Sequence, residues 1–443
     1  MKGFNTLLFV LFALSANAAD GTVGTVSVQK GNNVSVNGEA PLSLTLDGKD
    51  HQSCQFLSKR APDESHEFTW KEVTTTRGGE LAEILGDQLR SVDSLVVKGN
   101  VNDKDFHAMW DASLYGYLSV INLKNAVLEN NAVPDTAFFH ENEQYEGSSH
   151  EIFYYIGLRK IILPEGLEKI GEGAFYQASA LRQVNFPSTL RYIGDFAFNA
   201  TKLEMNHLDI PEGVEEINQY AFAFCRKLKA QVTLPSTIKK IGEWAFYGCP
   251  ITSINLPEGL ESLGSLAFWD CDLREVSIPS SCHEFNEGWQ FGFNRNLEKM
   301  HLPEGMTEIP DHFAVDCFRL REVNFPHTLK HIGEKAFSLC ISLKNVELPL
   351  GMQSLGEEAF SELEALEQIV FPASMKSLGK NSCSYWKNIK RIYCAAMEPP
   401  VCDPTDGGVF SGFDFPDGLN TPVVYIPKGT INKYKDTSRN CMG

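Results

Sequence analysis

Positive charge is scarce in this chain. Its 39 Lys and Arg face 57 Asp and Glu, a formal net charge of −18 over 443 residues. So acidic a surface repels phosphate backbones and anionic bilayers, which excludes nucleic acid as a natural partner. Long apolar runs are missing as well. Leu7 to Ala16 spans only ten residues, half of the roughly 20 that a membrane-crossing helix needs. No later segment is apolar enough to be transmembrane. The catalytic signatures GxSxG, HExxH, the P-loop and the EF-hand loop are all absent. No CxxC or Cys/His spacing is available to hold zinc. The expectation is therefore a protein with no catalytic residues, no metal and no cofactor. The length is also too great for one ordinary core, which leaves several domains or one repeat array.

The N-terminus has the three parts of a signal peptide in order. Lys2 supplies the charge, Leu7 to Ala16 the apolar run, and Ala16-Asn17-Ala18 the small residues at the cleavage site. Cleavage is expected after Ala18, so residues 1–18 are a signal peptide and the mature chain is secreted or displayed at the cell surface.

The centre is periodic. Prolines stand at Pro164, Pro187, Pro211, Pro235, Pro257, Pro279, Pro303, Pro326, Pro349 and Pro372, spaced 22 to 24 residues apart. The surrounding residues recur too: LRQVNFPSTLRYIGDFAF from Leu181 reappears as LREVNFPHTLKHIGEKAF from Leu320. Val184 and Phe186 alternate with Gln183 and Asn185, the period of a strand with one buried face. Proline ends that strand because it has no N–H for a ladder. Leu190 and Ile193 form a second apolar pair. Gly194 is read as allowing a backbone shape that a side chain would hinder. Ala197-Phe198 plugs the far side of the coil, as do Ala174-Phe175, Ala221-Phe222, Ala245-Phe246, Ala267-Phe268, Ala336-Phe337 and Ala359-Phe360. One coil cannot bury these residues alone, but stacked coils can.

The pattern LxxVxLPxxLxxIGxxAFxxC resembles the BspA-like leucine-rich repeats of bacterial secreted and cell-surface proteins. The likeness covers roughly residues 92 to 394. It implies a repeat solenoid: a right-handed leucine-rich-repeat superhelix of ~23-residue coils, with a stacked parallel β-sheet and few regular helices. It also implies a secreted or surface-attached protein that adheres to host or neighbouring-cell proteins. Glu80 to Leu89, with Leu81, Ile84, Leu85 and Leu89 on one helical stripe, resembles the N-terminal cap of the family. A helix over Asp103 to Ala112 and strands at Leu95–Val97 and Leu118–Leu123 complete that cap. Val423 to Tyr434 resembles the closing segment of such arrays, without the Trp-x-x-Phe stretch that commonly follows.

The expected organisation is a signal peptide (1–18), a small β-rich N-terminal region (19–78), a cap with divergent repeats (79–157) carrying an insertion at 139–155, repeats (158–394), and a C-terminal cap (395–443). For 19–78 three readings stay open: a small β-domain, an extended β-cap, or a loosely ordered arm. One repeat breaks the pattern. In Ser280 to Asn296, Phe285-Asn286 replaces Ile-Gly and Gln290 replaces Ala, while Trp289 and Phe293 are extra aromatics. Drift with compensating packing is the favoured reading.

Five of the eleven cysteines, Cys225, Cys249, Cys271, Cys317 and Cys340, share one repeat phase, which Asn294 occupies in the broken repeat. They read as a ladder of buried thiols. Cys394 and Cys402 form a candidate disulfide in an exported chain. His327 and His331 read as a solvated pair rather than metal ligands.

The binding surface is expected on the outward strand positions. One column contains Asn185, Asp209, Thr233, Asn255, Ser277, His301, Asn324 and Glu347. Its neighbour contains Gln183, His207, Gln231, Ser253, Glu275, Lys299, Glu322 and Asn345. The columns are polar and nearly free of aromatics, so an extracellular or cell-surface protein fits better than a sugar. The leading expectation is a non-catalytic protein-binding or adhesion module. The alternatives are a structural envelope or spacer component without ligand, and a glycan-acting enzyme with a site near the broken repeat or the insertion.

Overall fold

The computed structural model describes residues 66–139, 156–402, 409–410 and 422–435, and the backbone of four short N-terminal strands. The expected signal peptide, the body of the expected insertion and the segment 436–443 lie outside the described residues. The chain divides into two compact units, Met1–Pro187 with Ala200–Leu203, and Ser188–Asn199 with Glu204–Gly443. Both are built from β-solenoid coils.

In the first unit, Gly24–Gln29 pairs antiparallel with Asn33–Gly38, and Thr45–Leu46 with Lys49–Asp50. The coil sheet that follows is wholly parallel. Its five strands are Trp70–Thr75, Ser94–Val101, Val120–Leu128, Lys160–Ile162 and Gln183–Val184, in that spatial order. Trp70, Ser94, Val120, Lys160 and Gln183 occupy one level of the register. Among the described residues the stack starts at Trp70, inside the segment 19–78, for which an extended β-cap is one of the three readings. That strand carries no apolar pair to betray it: only Val73 and Thr75 are buried, and Trp70 is 65% exposed.

The capping helices obey simple local rules. Asp103–Tyr115 is a helix with a capping box. The Asn102 side chain accepts from the Lys104 N–H, and Asp105 reaches back to the Asn102 N–H at 2.9 Å. The buried Asp105 carboxylate also accepts from the Gly79 and Leu81 N–H groups at 2.6 and 3.0 Å. One side chain thus pins two elements. The stripe at 80–89 becomes a short helix, Leu81–Leu85, and a 3-10 turn, Gly86–Arg90. Gly86, with φ 49°, ends the helix, and Ile84 is left exposed.

In the second unit each coil supplies two strand positions. The face strands include His207–Asp209, Gln231–Thr233 and Ser253–Asn255, then Glu275–Ser277, Lys299–His301 and Glu322–Asn324, all paired in parallel. A second parallel ladder runs through the Ile-Gly phase, from Tyr192–Ile193 through Glu216–Ile217, Lys240–Ile241 and Ser262–Leu263 to Glu284–Phe285. The sequence reading treated that phase as an apolar pair, not a strand.

Between the ladders lies a column of phenylalanines. Phe198, Phe222, Phe246, Phe268 and Phe291 stack at centroid spacings of 5.3 to 5.7 Å and interplanar angles of 11° or less. All are fully buried. Each such ring contributes about 1.5–3 kcal/mol by leaving water, and only its neighbouring coils cover it.

The glycine of the Ile-Gly phase serves a different purpose from the one read in the sequence. At Gly171, Gly242, Gly264, Gly333, Gly356 and Gly379 no φ is positive. A Cβ would instead stand 2.4 to 2.8 Å from backbone of the preceding coil. The left-handed residues flank the Ala-Phe pair: Phe196, Tyr220, Trp244, Leu266, Trp289 and His312 before it, and Phe224, Gly248, Asp270, Phe293 and Asp316 after it, with φ of 54° to 67°. Left-handed backbone costs about 1–2 kcal/mol per non-glycine residue, which stacking of the coils offsets.

The turns after proline alternate in kind and lock coils in pairs. Glu212, Glu258 and Glu304 of Pro-Glu-Gly turns accept from the N–H of Ser236, Ser280 and His327 in the next coil. In return Thr237, Ser281 and Thr328 each accept from the glycine N–H of the earlier turn at 2.9 Å. They donate to Val214, Leu260 and Met306 carbonyls.

Gly264→Ala is expected to destabilise the protein by about 1–3 kcal/mol through overpacking, although its φ suits any residue. Denaturant unfolding measures this; a neutral substitution would contradict the close-approach explanation.

Candidate functional site

The outward strand residues of the second unit alternate with buried ones. His207, Asp209, Gln231, Thr233, Ser253, Asn255, Glu275, Ser277, Lys299, Glu322, Asn324, Asn345 and Glu347 are exposed, and His301 is half-buried. Gln183 and Asn185 take the same outward phase in the first unit.

Three of these asparagines are already committed. The strand-ending residue before proline has an N–H and a C=O that the proline-terminated ladder leaves open. Asn185 Oδ1 accepts from the Leu163 N–H at 2.7 Å and its Nδ2 donates to the Leu163 carbonyl at 3.0 Å. Asn255 does the same for Leu234, and Asn324 for Leu302. Where the next coil offers Thr233 or His301 instead, the main-chain carbonyl takes the proton, from Ile210 at 3.0 Å and Ile278 at 2.9 Å. Charges on the face also pair between coils: Lys299 with Glu322 at 3.5 Å and His301 with Glu275 at 3.3 Å. At this exposure such pairs are worth about 0–1 kcal/mol. The free hydrogen-bonding groups of the face are therefore fewer than the sequence columns imply. Asparagine beside a Leu-Pro in the preceding coil is the signal that could have found the clamps.

The cysteine phase performs a parallel task deeper in the coil. Cys225, Cys249, Cys271, Cys317 and Cys340 donate to the carbonyls of Phe198, Phe222, Phe246, Phe291 and Ala314 at 2.9 to 3.3 Å. Asn294 Nδ2 serves Phe268 at 2.7 Å, and Trp386 Nε1 serves Phe360 at 2.6 Å. Any buried donor of the right reach fills the phase. Burial pushes the Cys317 thiol up to about 12 and those of Cys249, Cys271 and Cys340 well above their usual value. The Cys394–Cys402 disulfide is not formed. Cys394 keeps a buried thiol 3.0 Å from Tyr434 Oη, while Cys402 is disulfide-bonded elsewhere. The tyrosine, which donates to the Ala396 carbonyl at 2.7 Å, holds Cys394 inside.

The broken repeat keeps the coil. Phe291 continues the phenylalanine column, 5.5 Å from Phe268, and Trp289 and Phe293 take the two left-handed positions. Gln290 fills the alanine place with no exposure; its Nε2 donates to the Asn286 carbonyl and its Oε1 has no partner. Trp289 stacks on His312 at 3.6 Å, and Trp269 packs against Trp289 and Phe293. Upstream, Phe196, Tyr220 and Trp244 stack at 4.8 and 5.2 Å. The rings cover one another's faces, so these aromatics pack against one another. His327 donates its main-chain N–H to Glu304, and His331 bonds Ser354 Oγ at 2.7 Å. Among the described residues no group of three or more His, Cys, Asp and Glu is arranged to hold a metal.

His312 is held below the usual histidine value, first by burial, with Lys335 adding to the effect and Glu334 and Asp311 opposing it. Its Nδ1 has no partner. Lys335 in turn pulls the Glu334 carboxyl down through a 2.9 Å contact.

Comparison with known proteins comes to the same architecture. The model of the BspA type leucine rich repeat region (6 copies) matches residues 148–231, 229–326 and 312–397. No curated protein matches the chain. Among solved structures, a leucine-rich repeat protein from Bacteroides ovatus is 20% identical over 84% of this chain and 93% of its own, with TM-score 0.44. A leucine rich cell surface protein from Faecalibacterium prausnitzii is 20% identical over 63% and 83%, with TM-score 0.34. The T. pallidum leucine rich repeat protein is 28% identical over 36% and 78%, with TM-score 0.34.

Two outcomes follow for solution work. The five ladder thiols should resist a thiol reagent such as DTNB in the native protein and react fully in denaturant; fast native labelling would contradict their burial. For His312 the lowered value means that the unfolded chain binds the proton more readily. Its contribution is therefore complete above about pH 6.5, the unperturbed value, and is lost as pH falls below it. Melting temperatures between pH 7 and 5 should fall less steeply in His312→Phe than in the parent; identical slopes would refute the assignment.

Proposed function

Because the chain belongs to the BspA-type leucine-rich repeat family, we propose that it is a non-catalytic binding protein, secreted or held at the cell surface, which engages a protein through its outward strand face. The observation that carries this reading is the face itself. Over successive coils its side chains point outward in register, exposed and chemically varied, while the residues between them are buried. Function needs a site rather than a fold. Here the open groups are those left after the clamps: His207, Asp209, Gln231, Thr233, Ser253 and Ser277. Regular parallel columns of short polar side chains suit an extended surface that docks without rearrangement.

Adhesion and export are part of the same proposal. They rest on the signal-peptide pattern at residues 1–18 and on the family's surface-protein character. The binding reading is favoured over an enzyme because Trp289, the extra aromatic of the broken repeat, is stacked on His312.

The test is a binding panel of purified extracellular-matrix, serum and mucosal proteins against the mature protein. Saturable binding to one of them should drop at least tenfold in Thr233→Arg with Ser277→Arg, with the melting temperature kept. Saturable binding unaffected by these substitutions would sink the proposed face.

A further inference from the structure

The strand face changes character near its C-terminal end. Up to Glu347 its outward residues in the second unit are polar. On the next three strands, Gln368–Phe371, Arg391–Cys394 and Val423–Tyr425, apolar and tyrosine side chains join the polar ones. The parallel register sets Val370, Tyr393 and Tyr425 in one row and Gln368, Arg391 and Val423 in the next. Val370 is 48% exposed, Tyr425 46% and Val423 53%. The Tyr393 and Tyr425 rings stack at 4.6 Å and 15°. A row of exposed apolar and tyrosine side chains on an otherwise polar face is the kind of patch that marks a protein contact.

The charges beside it that stay unpaired are two cations and one carboxylate, Glu347, which is level with Val370 on the preceding strand. Glu367, the carboxylate at the start of the first strand, is taken by Lys344 and Lys390 at 3.7 and 3.1 Å. Glu398 is taken by Lys433. Arg391, inside the patch, and Lys428, three residues past the last strand, are exposed and form no ion pair among the described residues. In a chain of net charge −18 Arg391 and Lys428 are two unpaired cations on the side of the apolar centre away from Glu347.

The geometry points to an anchor site for an acidic, apolar extended segment of a partner protein on these three strands. Its apolar side chains would lie over Val370, Tyr393, Tyr425 and Val423, with a carboxylate against Arg391 in a bidentate pair. This rests on the strand-face reading above and assigns the chemistry of the partner. Charge complementarity favours an acidic segment, since a basic one would meet Arg391 and Lys428.

The probe is a fluorescein-labelled dodecapeptide alternating glutamate with leucine and phenylalanine, titrated against the full chain by fluorescence polarisation. A control peptide carries lysine for glutamate, and a soluble β-glucan serves as competitor. The acidic peptide should bind saturably and the lysine peptide at least tenfold more weakly. Arg391→Glu should invert that preference, and Val423→Asp should weaken the acidic peptide at least tenfold. Both positions are exposed, so an unchanged melting temperature confirms that the fold is kept.

Absence of acidic-peptide binding, equal binding of both peptides, indifference to Arg391→Glu, or displacement by the glucan would each overturn the proposal. Thr233→Arg with Ser277→Arg separates the two claims. Panel binding lost in that variant but indifferent to Arg391→Glu and Val423→Asp keeps the general face and overturns this anchor. The opposite pattern keeps the anchor and overturns the polar columns.

Discussion

Each coil of this protein leaves polar backbone groups open that only the next coil can close. Proline ends the face strands of the regular repeats and removes a donor from the ladder. The residue before it then needs partners for its N–H and C=O, and the phenylalanine carbonyl of the Ala-Phe turn, which takes one N–H within its own coil, has a second lone pair for a donor from the next. A buried unsatisfied group costs about 1–3 kcal/mol, so a coil without its successor carries several such debts. The successor settles them with Asn255 at Leu234, Cys249 at Phe222 and Thr237 at Gly213. Hydrophobic burial follows the same logic, since each phenylalanine is covered by rings one coil away on either side.

This division of labour explains where binding capacity is left. The cysteines, the stacked turn aromatics and the face asparagines resemble functional groups by type, yet each is used to join coils. What remains is the outward strand surface between the clamps and the tyrosine-bearing end of that surface. The broken repeat fits the rule as well. Asn294 satisfies the Phe268 carbonyl as a cysteine would, and Phe291 holds the column. Gln290, with its unpartnered oxygen, and Asn286, in the place of the glycine, depart from the design.

Much of this was legible in the sequence. The coil length, the alternation around Val184, the Ala-Phe plug and the helix after Asn102 follow from periodicity and capping chemistry. What escaped did so for physical reasons. Trp70–Thr75 is an edge strand with only two buried side chains, so it lacks the apolar pair of its neighbours. The Gly194 phase looked like a demand for positive φ, but the demand is for space against the preceding backbone, which no local pattern reveals. The Cys394–Cys402 pairing followed from closeness in sequence, whereas Tyr434, forty residues on, decides where Cys394 lies. The clamps at Asn185, Asn255 and Asn324 depend on what the coil before them offers, so a column read in isolation assigns them to the partner.

The most direct test of coil-to-coil closure is amide hydrogen exchange at single-residue resolution in the native protein and in Asn255→Ala. The Leu234 N–H has no acceptor in its own coil's ladder and bonds Asn255 Oδ1 at 2.9 Å. The account predicts that it is protected in the parent. It further predicts that the substitution accelerates its exchange at least tenfold, while the Ile210 N–H, held by the Thr233 carbonyl, is unchanged. Fast exchange at Leu234 in the parent, or equal protection in the variant, would contradict it.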